Sequence, residues 1–316
     1  MRFGRFFVRV VIPKMPFFLL ATSILILSQS ANFIRYASAH AAAIGFWRLL
    51  MATVVLLPIV LYKKQWRQIT HASTKIKLQI LLTSILLYIH FFFWFLSVQK
   101  TSIANSMILF STNPLFTAIG AWIFFREKMA RRHFVALLFC FAGIFWMVKD
   151  SLAFNPEHFQ GDVLGFFCAI AFSAYVLSGK SLRHKMDNPP FALATYFFCS
   201  LFFLATMLYL RLPMLQYDGK TWAAYAALAI GSTLLGHSLF THCLQYFNVN
   251  LMSCSTLVEP IFSALMANYL FGEPIRNSAV VGFCFVSVGI LTLYYPYLLA
   301  LGGKKLVQED RAALWF

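Results

Sequence analysis

Two stretches decide the fold: 113-NPLFTAIGAWIFFRE-127 and 259-EPIFSALMANYLFGE-273. Each is an apolar run opened by a polar residue and a proline and closed by a glutamate. They lie 146 residues apart, and at that offset residues 99–127 cover 245–273 without a gap. Seven of the 29 pairs are identical, among them Gln99/Gln245, Pro114/Pro260 and Glu127/Glu273, with Gly143/Gly289 following further on. Matches of Ala and Phe carry little in apolar helices. The shared Pro-x(12)-Glu register carries more, and it marks an internal repeat.

The rest of the chain gives that repeat its setting. Of 316 residues, 60% are hydrophobic and 11% charged, against about 25% charged in a soluble domain. So apolar a chain cannot cover a soluble surface, and disordered, collagenous or disulfide-scaffold classes are excluded with the soluble enzymes. A helix needs about 20 apolar residues to cross a roughly 30 Å hydrocarbon core. Runs of about that length fall at 15–34, 41–62, 78–98, 102–125, 162–179, 190–210, 222–246, 251–271 and 278–299, with a shorter one at 133–148. Residues 221–272 hold one charge, Glu259, and are divided by the polar Asn248-Val249-Asn250. The runs are hydrophobic all round and show no strand-like alternation. The expected fold class is all-α integral membrane, with ten transmembrane helices.

The net charge of +16 does not form one patch. The basic residues sit between the apolar runs, so nucleic acid is not expected as a partner. Nineteen Lys and Arg fall on the side that holds both termini and six on the other, with Arg48 inside a span. The excess of basic residues marks the cytoplasmic side, so both tails, 1–14 and 300–316, are expected in the cytoplasm of a multi-pass protein of a bacterial inner or plasma membrane. The apolar N-terminus imitates a signal peptide, but nine further spans read it as an uncleaved first helix. Five spans per half make the halves antiparallel: 126-REKMARR-132 is strongly basic, whereas 272-GEPIRN-277 is nearly neutral. The expected organisation is two inverted five-helix repeats, 15–149 and 161–299. Inverted repeats are the architecture of secondary transporters.

Here the residues resemble the EamA-type members of the drug/metabolite transporter superfamily. The likeness covers roughly 16–299. It rests on the arginine of 47-WRLLMA-52, the small polar residues before Pro114, the glutamate closing that span, and the second copy 255-STLVEPIFSALMANYLFGE-273. Repeat 1 departs from repeat 2 in having Asn113 where repeat 2 has Glu259. The resemblance implies gradient-driven movement of small polar metabolites by alternating access, with export of amino acids or related compounds as the expected activity and import or exchange as the alternative.

Candidate site residues follow from cost. Glu259 is the only acid inside a span, and a carboxylate there costs a few kcal/mol unless it meets water, a proton or a partner. It is the candidate for a substrate amine or a coupling proton. Its plainer role is a neutral packing residue. Arg48 pairs with Glu259, holds a substrate carboxylate, or snorkels to the headgroups. His90 and Trp94 share a face of span 3. His237 occupies the matching span 8, with Gln29 and Asn32 in span 1, Asn113 in span 4, Tyr175 in span 6 and Tyr196 in span 7. These are read as cavity lining, or else as helix-packing hydrogen bonds and lipid contacts. Pro114 and Pro260 each remove a backbone donor and mark helix breaks.

Other signals fail. The six cysteines lie in apolar runs without CxxC, and no cofactor or metal is expected. Gly179-Lys180-Ser181 imitates a P-loop end but lacks the leading glycine. An intramembrane enzyme or a pore-less scaffold remains as a weaker reading. The lipid bilayer and a small-molecule substrate are the expected partners. Proton coupling and the oligomeric state, monomer or homodimer, stay open.

Overall fold

A computed structural model describes residues 14–127, 131–148 and 156–272, and residues 280–295 except 283, 290, 293 and 294. The two tails, Glu273 and the loop charges around it lie outside the described residues. The helices are α1 (Lys14–Leu27), α2 (Ser30–Tyr36), α3 (Ala41–Tyr62), α4 (Arg67–Thr70), α5 (Thr74–Lys100), α6 (Ile103–Phe110) and α7 (Asn113–Phe125) in the first half. It closes with α8 (Arg131–Val148). The second half has α9 (Pro156–Arg183), α10 (Asn188–Tyr209), α11 (Gly219–Ala227), a π-helix (Leu228–His237), α12 (Ser238–Cys243), α13 (Val249–Ser255), a 3-10 turn (Thr256–Val258) and α14 (Glu259–Phe271). A further apolar helix, α15, covers Val280–Gly289. There is no strand among the described residues.

Seven helical stretches are long and apolar enough to cross a membrane. The expected fourth span is not one of them, because it is broken at Ser111-Thr112 into α6 and α7. The apolar part of α8 is short, and α15 is only partly described. The molecule is inside-out relative to a soluble protein. Phe18, Leu82, Phe124 and Tyr269 are exposed, while Arg48, Asn113, His237 and Glu259 are buried. Apolar side chains face outward because lipid tails are as apolar as they are.

The two decisive stretches share local geometry as well as sequence. Ser102 Oγ accepts from Asn105 N–H (3.0 Å) and caps α6. Asn248 Oδ1 accepts from Leu251 N–H (2.7 Å) and caps α13. Both helices stop within eight residues, where Asn113-Pro114 and Glu259-Pro260 begin new ones. Proline fits the first turn of a helix, where no backbone donor is needed, but not its interior. Both new helices end on a left-handed residue, Arg126 (φ 58°) and Gly272 (φ 66°). Every one of these pairs is separated by the same 146 residues.

Cationic caps repeat the pattern at opposite ends. Arg35 donates to Val98 O and Thr101 O, both at 2.6 Å, at the C-terminus of α5. Lys180 donates to Leu244 O (3.0 Å) and Phe247 O (2.8 Å) after α12. The accepting carbonyls are again 146 apart. Such carbonyls have no helical partner, and a cation both bonds them and meets the negative end of the helix dipole.

Helices α8 and α15 cross through their glycines. A Cβ at Gly143 would stand 2.6 Å from Gly282 O, and one at Gly289 would stand 2.7 Å from Ala136 O. Gly143 meets the residues around 282–286 and Gly289 meets those around 136–140, so the helices run antiparallel where they touch. The equivalent residues Phe139 and Phe285 face one another at 6.3 Å.

Candidate functional site

The buried polar residues fall into three connected groups. The first surrounds Arg48 on α3. Burial to 1% exposure rules out the snorkelling role. Its Nε donates to Thr233 Oγ1 (2.9 Å), and its guanidinium lies over Phe91 (4.5 Å) and Phe95 (5.5 Å). Thr233 sits in the π-helix and donates to Leu228 O, five residues back. The wider coil turns Thr233 and His237 toward the arginine. Tyr196 Oη lies 3.3 Å from His237 Nδ1, and the His237 ring packs against Tyr175 at 5.2 Å. No carboxylate pairs with Arg48 among the described residues, so the expected bond to Glu259 is not made.

The second group joins His90 to Glu259. His90 Nδ1 lies 3.2 Å from Cys168 Sγ and 3.3 Å from Cys168 O. Cys168 is within electrostatic reach of the Glu259 carboxylate, and His90 of His237. Trp94 is buried with its ring 5.2 Å from Phe110, which stands between Trp94 and His90. Phe110, Phe172 and His90 form a tight aromatic lattice rather than an open shelf. On α14, Ser263 follows Glu259 by one turn, and Asn32 Nδ2 donates to Ser263 O and to Gln29 Oε1, both at 3.3 Å. Gln29 is only half-buried.

The third group surrounds Asn113. Its Nδ2 donates to Phe110 O (2.9 Å) and Thr256 Oγ1 (3.1 Å), and its Oδ1 accepts from Ser253. Ser253 Oγ also lies 3.0 Å from Thr117 Oγ1, and Ser173 donates to Asn113 O (2.8 Å). Asn113 is therefore fully bonded, while Glu259, at the same place in the second half, has no hydrogen bond or ion pair among the described residues.

Thr233, Ser253, Thr256, Ser263 and Cys168 did not stand out in the sequence, because small polar residues are ordinary in membrane helices. One end of the molecule was also missed. Glu127 is buried beside Lys180, with Asn250 Nδ2 3.5 Å from its carboxylate. Burial pushes this carboxyl up to about 7, with Lys180 and the Val249 N–H pulling the other way.

What the arrangement offers chemically is a set of unsatisfied groups. Arg48 Nη1, Tyr175 Oη, His237 Nε2, Asn32 Oδ1 and Ser263 Oγ are buried without a hydrogen-bond partner among the described residues. Each such group costs about 1–3 kcal/mol unless something bonds it. Water or a polar guest between these helices would do so.

The EamA-like transporter family matches residues 10–149 and again 159–295, and the chain belongs to that family. It is 26% identical over 291 residues to an uncharacterized transporter of Archaeoglobus fulgidus, covering 89% of this chain and 95% of the relative. The uncharacterized transporter YyaM of Bacillus subtilis is 22% identical over 206 residues, covering 63% of this chain and 67% of YyaM. Solute carrier family 35 member G1 of Mus musculus is 23% identical over 183 residues, covering 56% of this chain and 49% of the relative. A solved crystal structure superposes with a TM-score of 0.74 at 16% identity, over 92% of this chain and 98% of the other. The chain is thus an integral, multi-pass membrane transporter rather than an enzyme, with a small-molecule substrate and the lipid bilayer as partners.

Proposed function

We propose that this transporter is a gradient-driven exporter of small polar metabolites, such as amino acids or related compounds. It works by alternating access between two inverted five-helix repeats, 15–149 and 161–299, in ten spans with both termini in the cytoplasm. The observation that carries the reading is that α2, α3, α9, the π-helix and α14 each hold a buried polar atom with no hydrogen-bond partner among the described residues. Arg48 supplies a fixed positive charge for a substrate carboxylate. Glu259 supplies a carboxylate for a substrate ammonium or a coupling proton. His90, Trp94, Tyr175, Tyr196 and His237 shape the space between them.

The repeat geometry supports the mechanism. The breaks at Pro114 and Pro260, the two cationic caps and the antiparallel crossing of α8 with α15 all recur at one offset. Two near-equivalent halves of opposite orientation can exchange conformations and so open either side. An uptake and efflux screen of amino acids and related metabolites in proteoliposomes with an imposed pH gradient tests the proposal. At least one zwitterionic solute should move, and Arg48→Met should stop it. Movement of apolar cations alone, unaffected by Arg48→Met, would contradict the reading.

A further inference from the structure

A cleft of about 620 Å³ lies between α5, α7 and α9, bordering the Asn113 group at Ser173. Gln79, Leu82 and Leu86 line it from α5, Phe116 and Phe124 from α7, and Ala174 from α9. Leu82 and Phe124 are exposed at its mouth. α5 and α9 carry candidate spans and α7 is a shorter apolar helix between them, so the mouth opens on hydrocarbon and not on water.

Three of the four polar side chains that line the walls, Gln79, Ser173 and Ser178, are already engaged, and Ser181 is the fourth. Gln79 Nε2 donates to Ser178 O (3.4 Å), Thr83 and Ser178 share a hydroxyl bond (2.6 Å), and Ser173 donates to Asn113 O. A polar metabolite would find little to bond there, whereas an acyl chain fills such a space without loss. The length also fits. At 1.5 Å per residue the lining segments of α5, α7 and α9 run roughly 10–16 Å, close to the roughly 15 Å of one leaflet.

One end of the cleft is basic. Lys75, Gln79, Leu82 and Leu86 form a single stripe along α5, since these spacings return to one helix face. Arg126 follows Phe124 and Phe125 at the end of α7. Both cations are exposed, and neither has an ion pair among the described residues. Of the acids near these helix ends, Glu127 is buried beside Lys180 and Asp187 accepts from Gln65 and Gln68. We propose that the cleft binds one anionic phospholipid, with an acyl chain between α5, α7 and α9 and the phosphate on Lys75 and Arg126. In the orientation proposed above, this lipid comes from the cytoplasmic leaflet.

Native mass spectrometry of the purified protein, titrated with phosphatidylglycerol or phosphatidylcholine, tests this without using transport. The first phosphatidylglycerol should bind at least about tenfold more tightly than phosphatidylcholine, because each basic residue near an anionic surface contributes about 1 kcal/mol. The double variant Lys75→Gln/Arg126→Gln, altered only at exposed positions, should bring the two lipids level. Ala174→Trp, which fills the cleft, should remove the tight adduct of the wild-type charges. Equal binding of both lipids to the wild type would overturn the proposal. So would a phosphatidylglycerol preference that survives the double variant.

Discussion

The helix breaks at Asn113 and Glu259 occupy equivalent places and have opposite surroundings. Asn113 bonds Phe110 O, Thr256 and Ser253, which tie α7 to the second half. Glu259 sits at the matching proline break with no protein partner among the described residues. At an offset of 146 the counterparts of Thr256 and Ser253 are Phe110 and Met107, neither of which carries a hydroxyl. One break is a finished joint and the other is left open. A duplicated scaffold can therefore divide labour: one copy holds the crossing, and the other keeps a titratable group available.

The comparison breaks most visibly at the joint. Asn113→Leu keeps side-chain size but removes the hydrogen bonds to Phe110 O, Thr256 and Ser253, each contributing about 0.5–1.5 kcal/mol. Thermal unfolding in detergent should show a clear loss of stability, whereas Glu259→Gln should unfold near the wild-type temperature. Equal losses in the two variants would erase the distinction.

The cationic caps sharpen the same comparison at the two ends. Arg35→Met and Lys180→Met each remove two hydrogen bonds to helix-end carbonyls, and a hydrogen bond to a charged group contributes about 1.5–3 kcal/mol. The two losses should be similar if the ends are equivalent. Paired melting curves measure this, and a loss confined to one variant would show that only one end is clamped.

The smallest effect concerns Glu127, whose neighbourhood distinguishes the Lys180 end. Its carboxyl is raised from an ordinary 4.5 to about 7, chiefly by burial. The folded chain then binds the extra proton between those values. Stability should fall as pH rises through about 4.5 to 7 and level off above. Melting temperatures across that range should show the slope in the wild type and a reduced slope in Glu127→Gln. An unchanged slope in the variant would assign it to another group.

Much of this was legible in the residues, because membrane insertion and duplication both leave direct marks. Apolar runs located the helices, Pro-x(12)-Glu located both breaks, and the single acid in a span located Glu259. The sequence did not say which buried groups would be paired. Residue type already set Glu259 apart from Asn113, but only the positions of Ser253 and Thr256 across the crossing show that Asn113 is bonded there. Lys180 counted as one more basic loop residue, although it is buried and bonded to carbonyls, because charge counting treats every cation as solvated. The π-helix at Leu228–His237, whose Thr233 accepts from Arg48, had no signature in the residues either.

The central claim is that the unpaired Glu259 serves transport and not packing. The most direct measurement is the rate of substrate movement by Glu259→Gln proteoliposomes across pH 5 to 9, beside the wild type and Asn113→Ala at matched amounts of folded protein. The account predicts that Glu259→Gln loses at least about tenfold in rate or loses its pH dependence, while folded Asn113→Ala keeps the wild-type pH profile. A Glu259→Gln protein that transports at the wild-type rate with the wild-type pH profile would contradict it.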